Sequence, residues 1–278
     1  MDIGILTAPL RDKTLEEIAA FAGQNGFGAL EVACGPGSKT LDTSNVDGRR
    51  ADEIRQILQT NKVRISSLAA YANNTPEKSE DREQAATNLK LAIDAAAKLG
   101  VDVVCTLAGL PYAGRNRYQV IETDAKTFFT PILDYAGERG IKIALENWFA
   151  TNIMHLGHFE AIFQAVPHKN FGLNYDPSHL LWQEIDYIHG VDAFASRIFH
   201  THAKDTEVNK HKRQWIGVNG DGWWRYVIPG FGDVAWGPYI AALRRNKYDG
   251  VLSIEHEDDT FGPEAGFLAA QRNLQLYL

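Results

Sequence analysis

Four side chains of the kinds that bind metal ions close short apolar runs in the second half of the chain. Glu146 ends IKIALE, Asp176 ends FGLNYD, His202 ends RIFHTH and Glu255 ends VLSIE. A sheet core offers nothing that satisfies a carboxylate, so strands that end this way need another explanation. Three carboxylates and one imidazole are donors that hard or borderline divalent cations accept. The sequence therefore predicts one shared site for Mn²⁺, with Mg²⁺ or Co²⁺ as alternatives, and hence an enzyme.

Each of these four residues also has an ordinary structural explanation. Asp176 precedes Pro177, and Asp-Pro is a typical helix start. Glu255 opens the acidic run EHEDD, which is compatible with a solvated loop. Glu146 could form an ion pair across the fold, and His202 could be a hydrogen-bonded core histidine. Their joint occurrence at four successive strand ends favours the metal site.

The elements that must position these residues alternate along the whole chain. The predicted strands are Ile3–Thr7, Ala29–Val32, Ile65–Ala70, Val101–Thr106, Ile141–Glu146, Phe171–Tyr175, Ile198–His202 and Val251–Glu255. The predicted helices are Leu15–Asn25, Arg50–Asn61, Glu77–Leu99, Ala125–Arg139, Gly157–Val166, Gly190–Ala195, Pro238–Asn246 and Pro263–Leu278. This alternation predicts an α/β protein with a single (β/α)8 TIM barrel over residues 1–278, whose C-terminal strand ends meet in one mouth. A doubly wound sheet is the alternative, but the first strand lacks a Gly-rich turn after it.

One long stretch, residues 206–234, interrupts this regular pattern. It contains the aromatic and glycine-rich sequence QWIGVNGDGWWRYVIPGFGD. We predict an irregular loop insertion there, which inside one domain is typical of a lid or a substrate wall.

Histidine and lysine residues near the predicted mouth are candidates for substrate binding. His179 lies three residues after Asp176 and could contact substrate, or could be a surface histidine. Lys204 could hold an anionic oxygen or pair with its neighbour Asp205. His155, together with the nearby His158, could exchange protons with the substrate, although a mobile surface loop would explain both histidines equally well.

The tryptophans of this region form a second group of candidates. Trp182, Trp223 and Trp224 could stack on the flat face of a ligand, although such aromatic residues more often serve packing. Arg225 is a candidate for contact with an anionic group.

Composition and charge exclude several classes of protein. The net charge of −7 and the pI near 5.7 disfavour nucleic acid or an anionic membrane as the main partner. The two cysteines, Cys34 and Cys105, show no metal-binding or disulfide spacing. No run approaches the roughly 18 apolar residues of a membrane span, and the N-terminus has no basic, apolar leader. We therefore expect a cytoplasmic protein.

Several sequence motifs resemble the xylose isomerase-like barrel superfamily, and in particular its sugar phosphate isomerase/epimerase branch. They are ALEN, NYDPSHLLWQ, HTHAKD and GVLSIEHED, together with LEVACGPG near the N-terminus. The resemblance implies a (β/α)8 barrel that holds Mn²⁺, Mg²⁺ or Co²⁺ on Glu146, Asp176, His202 and Glu255. It also implies that Glu146 and Glu255 move the proton, one on each face of the sugar, and that His179 contacts a substrate oxygen.

The function that follows is a divalent-metal-dependent isomerase or epimerase of a ketose or keto-sugar, acting through a metal-stabilised enediolate. The chain lacks the Arg that free-ketose epimerases carry after the metal-bound His, and its Trp-rich insertion is closer to relatives that act on 3-keto-glycosides. The alternative is therefore a lyase or C-glycoside-cleaving enzyme that acts on such glycosides by elimination. An apurinic endonuclease and a non-catalytic sugar-binding barrel are further alternatives. The expected partner is a small-molecule sugar, and a homo-oligomer or a partner subunit is compatible with the family.

Overall fold

A closed barrel of eight parallel strands forms the centre of the molecule in a computed structural model that describes residues 1–278. The ten strands are β1 (Asp2–Leu6), β2 (Ala29–Ala33), β3 (Arg64–Ala69), β4 (Val103–Leu107), β5 (Lys142–Glu146), β6 (Phe171–Tyr175), β7 (Ile198–Ala203), β8 (Asp205–Val208), β9 (Trp224–Val227) and β10 (Val251–Ile254). Strands β1 to β7 follow one another around the barrel, and β10 closes it between β7 and β1. The predicted (β/α)8 barrel is confirmed.

Helices alternate with the barrel strands and surround them. They are α1 (Leu15–Gln24), α2 (Gly48–Asn61), α3 (Ser79–Leu99), α4 (Arg117–Val120), α5 (Lys126–Gly137), α6 (Leu156–Ala165), α7 (Ser178–Leu181), α8 (Tyr187–Phe194), α9 (Lys210–Ile216), α10 (Trp236–Arg245) and α11 (Pro263–Leu274). A π-helical turn, Ile121–Ala125, joins α4 to α5, so this helical segment begins earlier than the sequence predicts. None of the helices is long and apolar enough to cross a membrane.

Local sequence explains where these helices start and stop. The Thr14 side chain accepts the backbone N–H of Glu17, and the Glu17 carboxylate accepts the backbone N–H of Thr14, which forms a capping box at α1. Helix α3 ends at Gly100, whose φ of 73° is in the left-handed region that glycine tolerates best. The inner faces of the helices bury residues such as Ile18, Ile54 and Phe129 against the barrel. This packing fixes the strand ends that carry the site.

The inserted segment after β7 is more ordered than the sequence predicts. Strands β8 and β9 pair antiparallel, from Asp205 opposite Val227 to Val208 opposite Trp224. Helix α9 lies between them and buries none of its residues. It therefore has no apolar face that would appear as a periodic pattern in the sequence. The expected irregular loop is therefore in part a two-stranded ribbon.

A single buried carboxylate, Asp205, joins the two ends of this inserted segment. One of its oxygens accepts the backbone N–H groups of Thr206 and Val234 at 2.8 and 2.9 Å. The other accepts the backbone N–H of Gly230 at 2.9 Å and the indole N–H of Trp236 at 2.8 Å. Four donors on one carboxylate fix the base of the ribbon next to the barrel mouth.

Candidate metal centre and active site

The four predicted ligands lie together at the C-terminal end of the barrel. Glu146 is the last residue of β5, Asp176 follows β6, His202 lies in β7 and Glu255 follows β10. Asp176 and His202 are fully buried, whereas Glu146 and Glu255 are 5% and 8% exposed. Glu146 and Glu255 are therefore slightly accessible at the C-terminal end of the barrel, where barrel active sites usually lie.

Distances between the side chains are short enough for one ion. His202 Nδ1 lies 3.0 Å from Glu255 Oε2, 3.7 Å from Asp176 Oδ2 and 3.8 Å from Glu146 Oε1. Glu146, Asp176 and Glu255 also each offer an oxygen within 4.8 Å of one another and of a ring nitrogen of His179. His179 Nε2 is 3.3 Å from Glu146 Oε1 and 3.5 Å from Asp176 Oδ2. The structure therefore brings five candidate ligands together, with His179 as close to the carboxylates as His202.

Unpaired buried atoms test whether this group fits a cation. Asp176 Oδ2, His202 Nδ1 and Glu255 Oε2 all lack a hydrogen-bond partner, which is rare for buried polar atoms. Asp176 uses its other oxygen to accept the backbone N–H of Ser178 at 2.7 Å, so the same residue caps the short helix α7 and still presents a free oxygen. Oxygen and imidazole donors of this kind suit a hard or borderline divalent ion, and we conclude that the residues fit one.

Lys204 is the nearest positive charge to the cluster. Its Nζ lies 2.7 Å from Glu255 Oε2, without the angles of a hydrogen bond, and 3.2 and 3.4 Å from Glu257 Oε2 and Asp176 Oδ2. Burial alone would lower the pKa of Lys204, but these carboxylates raise it well above 10.5. Lys204 thus remains protonated and faces the carboxylates of the site. The alternative ion pair with Asp205 does not form, because the Asp205 carboxylate accepts hydrogen bonds from Gly230, Val234 and Trp236.

The same charges set the pKa values of the proposed ligands. Burial opposes ionisation of Glu255, but Lys204 and His202 lower its pKa to about 2. Burial opposes protonation of His202, but Glu31 and Glu255 raise its pKa well above 6.5. A cation that binds Nδ1 would therefore compete with a proton for this nitrogen.

Glu31 in β2 is a further candidate residue of this site that the sequence analysis missed. Its Oε2 lies 3.0 Å from His202 Nε2, and because a carboxylate only accepts, the ring donates there and keeps Nδ1 directed at the metal cluster. Tyr71 donates its hydroxyl hydrogen to the other oxygen of Glu31 at 2.7 Å. The only sign of this role in the sequence is a glutamate inside the otherwise apolar strand ALEVA. Glu31 does not lie at a strand end, where the four predicted ligands lie.

Replacement of Glu31 by Gln is expected to weaken metal binding by about 10- to 100-fold, which is typical for loss of a carboxylate behind a metal-binding histidine. Titration calorimetry with Mn²⁺ measures the change. Glu53→Gln makes the same charge change on the exposed surface of α2 and should bind Mn²⁺ like the wild type. Equal affinities for all three proteins would remove Glu31 from this role.

Two adjoining cavities open above the cluster. The inner one, of about 190 Å³, is lined by Tyr71, Leu107, Glu146, Trp148, Lys204, Glu255 and Glu257. The outer one, of about 720 Å³, is lined by Trp148, Phe149, Trp224, Arg225, Tyr226, Glu257, Asp259 and Thr260. The predicted contact residues Lys204 and Arg225 thus line cavities. Trp182 lines neither cavity and instead stacks on Trp224, with ring centroids 4.5 Å apart.

His155 is set apart from these cavities. Its Nδ1 accepts the backbone N–H of His158 at the start of α6, and the two imidazoles stack with centroids 3.6 Å apart. Neither histidine lines the inner or the outer cavity. A substrate contact through His155 remains a prediction.

His158 should make the stability of the protein depend on pH. The pKa of His158 is lowered to about 4 from the 6.5 expected for the unfolded chain. Burial is the main cause, and the nearby His155 and Arg117 contribute less. Only the unfolded state then takes up this proton, so stability is lost as the pH falls from about 6.5 towards 4. Between pH 7 and pH 5 we expect a loss of about 1–2 kcal/mol from this residue.

Urea unfolding of His158→Gln at both pH values tests this expectation. The variant should lose less unfolding free energy on acidification than the wild type. His189→Gln, at an exposed histidine, should behave like the wild type. The same pH dependence in all three proteins would contradict the assignment.

Comparisons with known proteins agree with this architecture. The family model described as "Xylose isomerase-like TIM barrel" matches residues 19–277. YfiH of Bacillus subtilis (strain 168) is 27% identical over 305 residues, which cover 96% of this chain and 96% of that protein. An inosose dehydratase of Clostridium perfringens (strain 13 / Type A) is 23% identical over 241 residues, or 80% of this chain and 79% of that protein.

Solved structures share the fold at lower identity. The IOLI protein with a bound zinc atom has a TM-score of 0.78 at 20% identity and covers 100% of this chain and 99% of that one. A D-tagatose 3-epimerase-like protein has a TM-score of 0.77 at 20% identity, with 100% and 97% covered. The 3-keto-D-glucoside 4-epimerase YcjR from E. coli has a TM-score of 0.75 at 14% identity, with 99% of both chains covered. Because the family model spans almost the whole closed barrel, including the four strand ends that carry the predicted ligands, the chain belongs to the xylose isomerase-like TIM barrel family.

Proposed function

We propose that this protein is a divalent-metal-dependent isomerase or epimerase that removes a proton next to the carbonyl of a ketose or keto-sugar. The observation that carries the proposal is the convergence, beside Glu146, of three buried atoms without a hydrogen-bond partner, on Asp176, His202 and Glu255. Names of similar proteins support it, since they include a D-tagatose 3-epimerase-like protein and a 3-keto-D-glucoside 4-epimerase.

Glu146, Asp176, His202 and Glu255 would hold the cation, for which Mn²⁺ is our first choice. A bound divalent ion supplies Lewis acidity towards the carbonyl and neighbouring hydroxyl oxygens of a sugar. Glu146 and Glu255 are on different barrel strands and both line the inner cavity, so one can take the proton and the other can return it on the opposite face.

His179 and Lys204 would position the sugar oxygens. His179 Nδ1 lies 2.6 Å from the hydroxyl oxygen of Tyr226, which fixes the ring while Nε2 faces Glu146. Lys204 Nζ lies 3.1 Å from the same Nε2 and lines the inner cavity. A protonated lysine there can stabilise negative charge that develops on an oxygen of the substrate.

Elimination is the second candidate reaction. The same proton abstraction at the carbon next to the carbonyl would be followed by departure of an oxygen substituent, which needs an acid. The position of Lys204 favours this candidate, because its ammonium group lines the inner cavity beside Glu255, within reach of a leaving oxygen. The inosose dehydratases among the similar proteins are in line with such chemistry. His155 or His158 is the additional base that the sequence predicts for this reaction, and neither lines the two cavities.

Proton NMR in heavy water distinguishes these reactions. The protein would be loaded with Mn²⁺, Mg²⁺, Co²⁺ or Zn²⁺ and mixed with free ketoses and with 3-keto-glycosides. Deuterium at the carbon next to the carbonyl, with the sugar otherwise intact, is the result expected for an epimerase or isomerase. Loss of water or of an aglycone would indicate elimination, and no exchange with any keto-sugar would overturn the proposal in favour of a sugar-binding barrel.

Charge argues against the other enzymatic class of this superfamily. An apurinic endonuclease binds a phosphate backbone, whereas this chain carries a net charge of −7. We therefore propose a small-molecule sugar as the ligand, with the reaction taking place in the cytoplasm, as the sequence predicts.

A further inference from the structure

The inner and outer cavities share two lining residues, Trp148 and Glu257, and therefore adjoin each other. The inner part, of about 190 Å³, is lined by Glu146, Glu255 and Lys204. The outer part, of about 720 Å³, lies within the range of about 300–1,000 Å³ that is typical of small-molecule sites. The space is therefore larger than the chemistry at the metal requires.

An aromatic wall, which we define as Trp148, Phe149, Trp224 and Tyr226, bounds the outer cavity. Trp182 stacks on Trp224 with an angle of 9° between the rings, and Phe149 meets Trp224 edge-on at 84°. Strand β9 carries Trp224 and Tyr226 and is paired with β8, so these rings are held in place. The rings of the aromatic wall are therefore held in place by protein contacts, and they line a cavity.

Trp148 differs from the other rings of the wall. Its only aromatic contact is an edge-on one with Phe149, at 6.0 Å and 77°. No aromatic side chain stacks on it, and it lines both cavities. An indole at the junction of the two cavities is suited to stacking against a flat ring of a ligand.

Charges around the two cavities disfavour an anionic ligand. Arg225 is paired with Glu207 at 2.7 Å and with Asp258 at 3.2 Å. Lys204 is paired with Glu255 and Glu257. Phosphate recognition ordinarily uses Arg or Lys groups whose charge is available to the anion, and both cations here are already compensated.

We propose that the substrate is an uncharged, unphosphorylated keto-sugar glycoside, whose sugar ring occupies the inner cavity and whose second ring stacks on Trp148 in the outer cavity. The assignment of the sugar ring to the inner cavity rests on the proposed function. The second ring has an apolar face, which is a property of both an aromatic aglycone and another sugar.

Calorimetry with non-reacting glycosides tests the proposal without any turnover. The probes are methyl β-glucoside, p-nitrophenyl β-glucoside and cellobiose, titrated into the Mn²⁺-loaded and the EDTA-treated protein. We expect a two-ring probe to bind about tenfold or more tightly than methyl β-glucoside, in line with the strength of ring stacking. Tighter binding of the p-nitrophenyl compound identifies an aromatic aglycone, and tighter binding of cellobiose identifies a sugar.

Matched tryptophan variants locate the second ring. Trp148→Ala should abolish the advantage of the two-ring probe, and Trp148→Phe should retain part of it. Trp215→Ala is the control, because it removes a tryptophan that is 90% exposed and lines neither cavity. An advantage that survives Trp148→Ala in a folded variant would overturn the proposal.

Phosphorylated probes test the charge argument. Glucose 6-phosphate should bind no more tightly than glucose, and tighter binding would overturn the assignment of an uncharged substrate. Equal affinity for methyl and p-nitrophenyl β-glucoside and cellobiose would overturn the second-ring assignment. The two proposals can fail separately. If no deuterium exchange is seen, but two-ring probes still bind more tightly and Trp148→Ala removes that difference, then the proposed reaction is wrong and the inference about binding stands.

Discussion

Replacement of Glu146 by Gln is expected to slow deuterium exchange at the carbon next to the carbonyl by about 10²- to 10⁴-fold, the range usual for loss of a positioned acid or base. The isosteric amide cannot take up a proton at the pH of the reaction. It also removes one of the negative ligands that would hold the cation. Turnover of the metal-loaded protein, followed by proton NMR in heavy water, measures the effect.

Glu160→Gln provides the control for Glu146→Gln. It makes the same chemical change at an exposed position of α6 and should exchange protons at the wild-type rate. A Glu146→Gln variant that binds metal and retains the wild-type rate would exclude Glu146 as a proton-transfer group. Reduced rates that recover fully at high metal concentration would instead restrict Glu146 to metal binding.

Replacement of Lys204 by Met is expected to lower the free energy of unfolding in EDTA by about 3–5 kcal/mol. Loss of one partner from a buried ion pair leaves the other charge uncompensated, and that range is typical of such changes. Here Glu255 and Asp176 would both lose their nearest cation. Urea unfolding with and without Mn²⁺ measures the change, and saturating metal should stabilise the variant more than it stabilises the wild type.

Lys126→Met is the corresponding control on the exposed side of α5. It should change the free energy of unfolding by less than about 0.5 kcal/mol, as surface substitutions usually do. An unfolding free energy of Lys204→Met equal to that of the wild type in EDTA would contradict the electrostatic role given to Lys204.

The barrel was predictable because its strands and helices carry local signals. Phe171–Tyr175 is strand β6 as predicted, since a buried parallel strand appears in the sequence as a short apolar run between polar segments. Gly100 marks the end of α3 because the backbone there is left-handed. Such signals depend on neighbouring residues only, so one sequence is sufficient to detect them.

The group of predicted metal-binding side chains was predictable for a different reason. Topology places the ends of parallel strands at one mouth, so the polar residues that end these strands, such as Asp176 and Glu255, must approach one another. Glu31 could not be found in this way, because it lies inside a predicted strand. Tyr71 follows a predicted strand, but its role depends on contacts with Glu31 and His202 across the barrel. The position of His155 likewise depends on how a loop folds.

The inserted segment was the least predictable part. Its strands have only four residues each, and its helix has no buried face. What orders it is the Asp205 carboxylate, whose donors Gly230, Val234 and Trp236 are 25 or more residues away. Interactions over such distances in sequence leave no local pattern.

The hydrogen bonds of Asp205 divide the inserted segment into a base beside the barrel and an outer part. Residues 205–208 and 230–236 are held beside the barrel, whereas α9, in the outer part of the segment, buries none of its residues. Exchange or lengthening of this outer part would leave His202 and Lys204 undisturbed. Natural selection can therefore diversify the groups that border the entrance of such a barrel while the reaction centre below keeps its geometry.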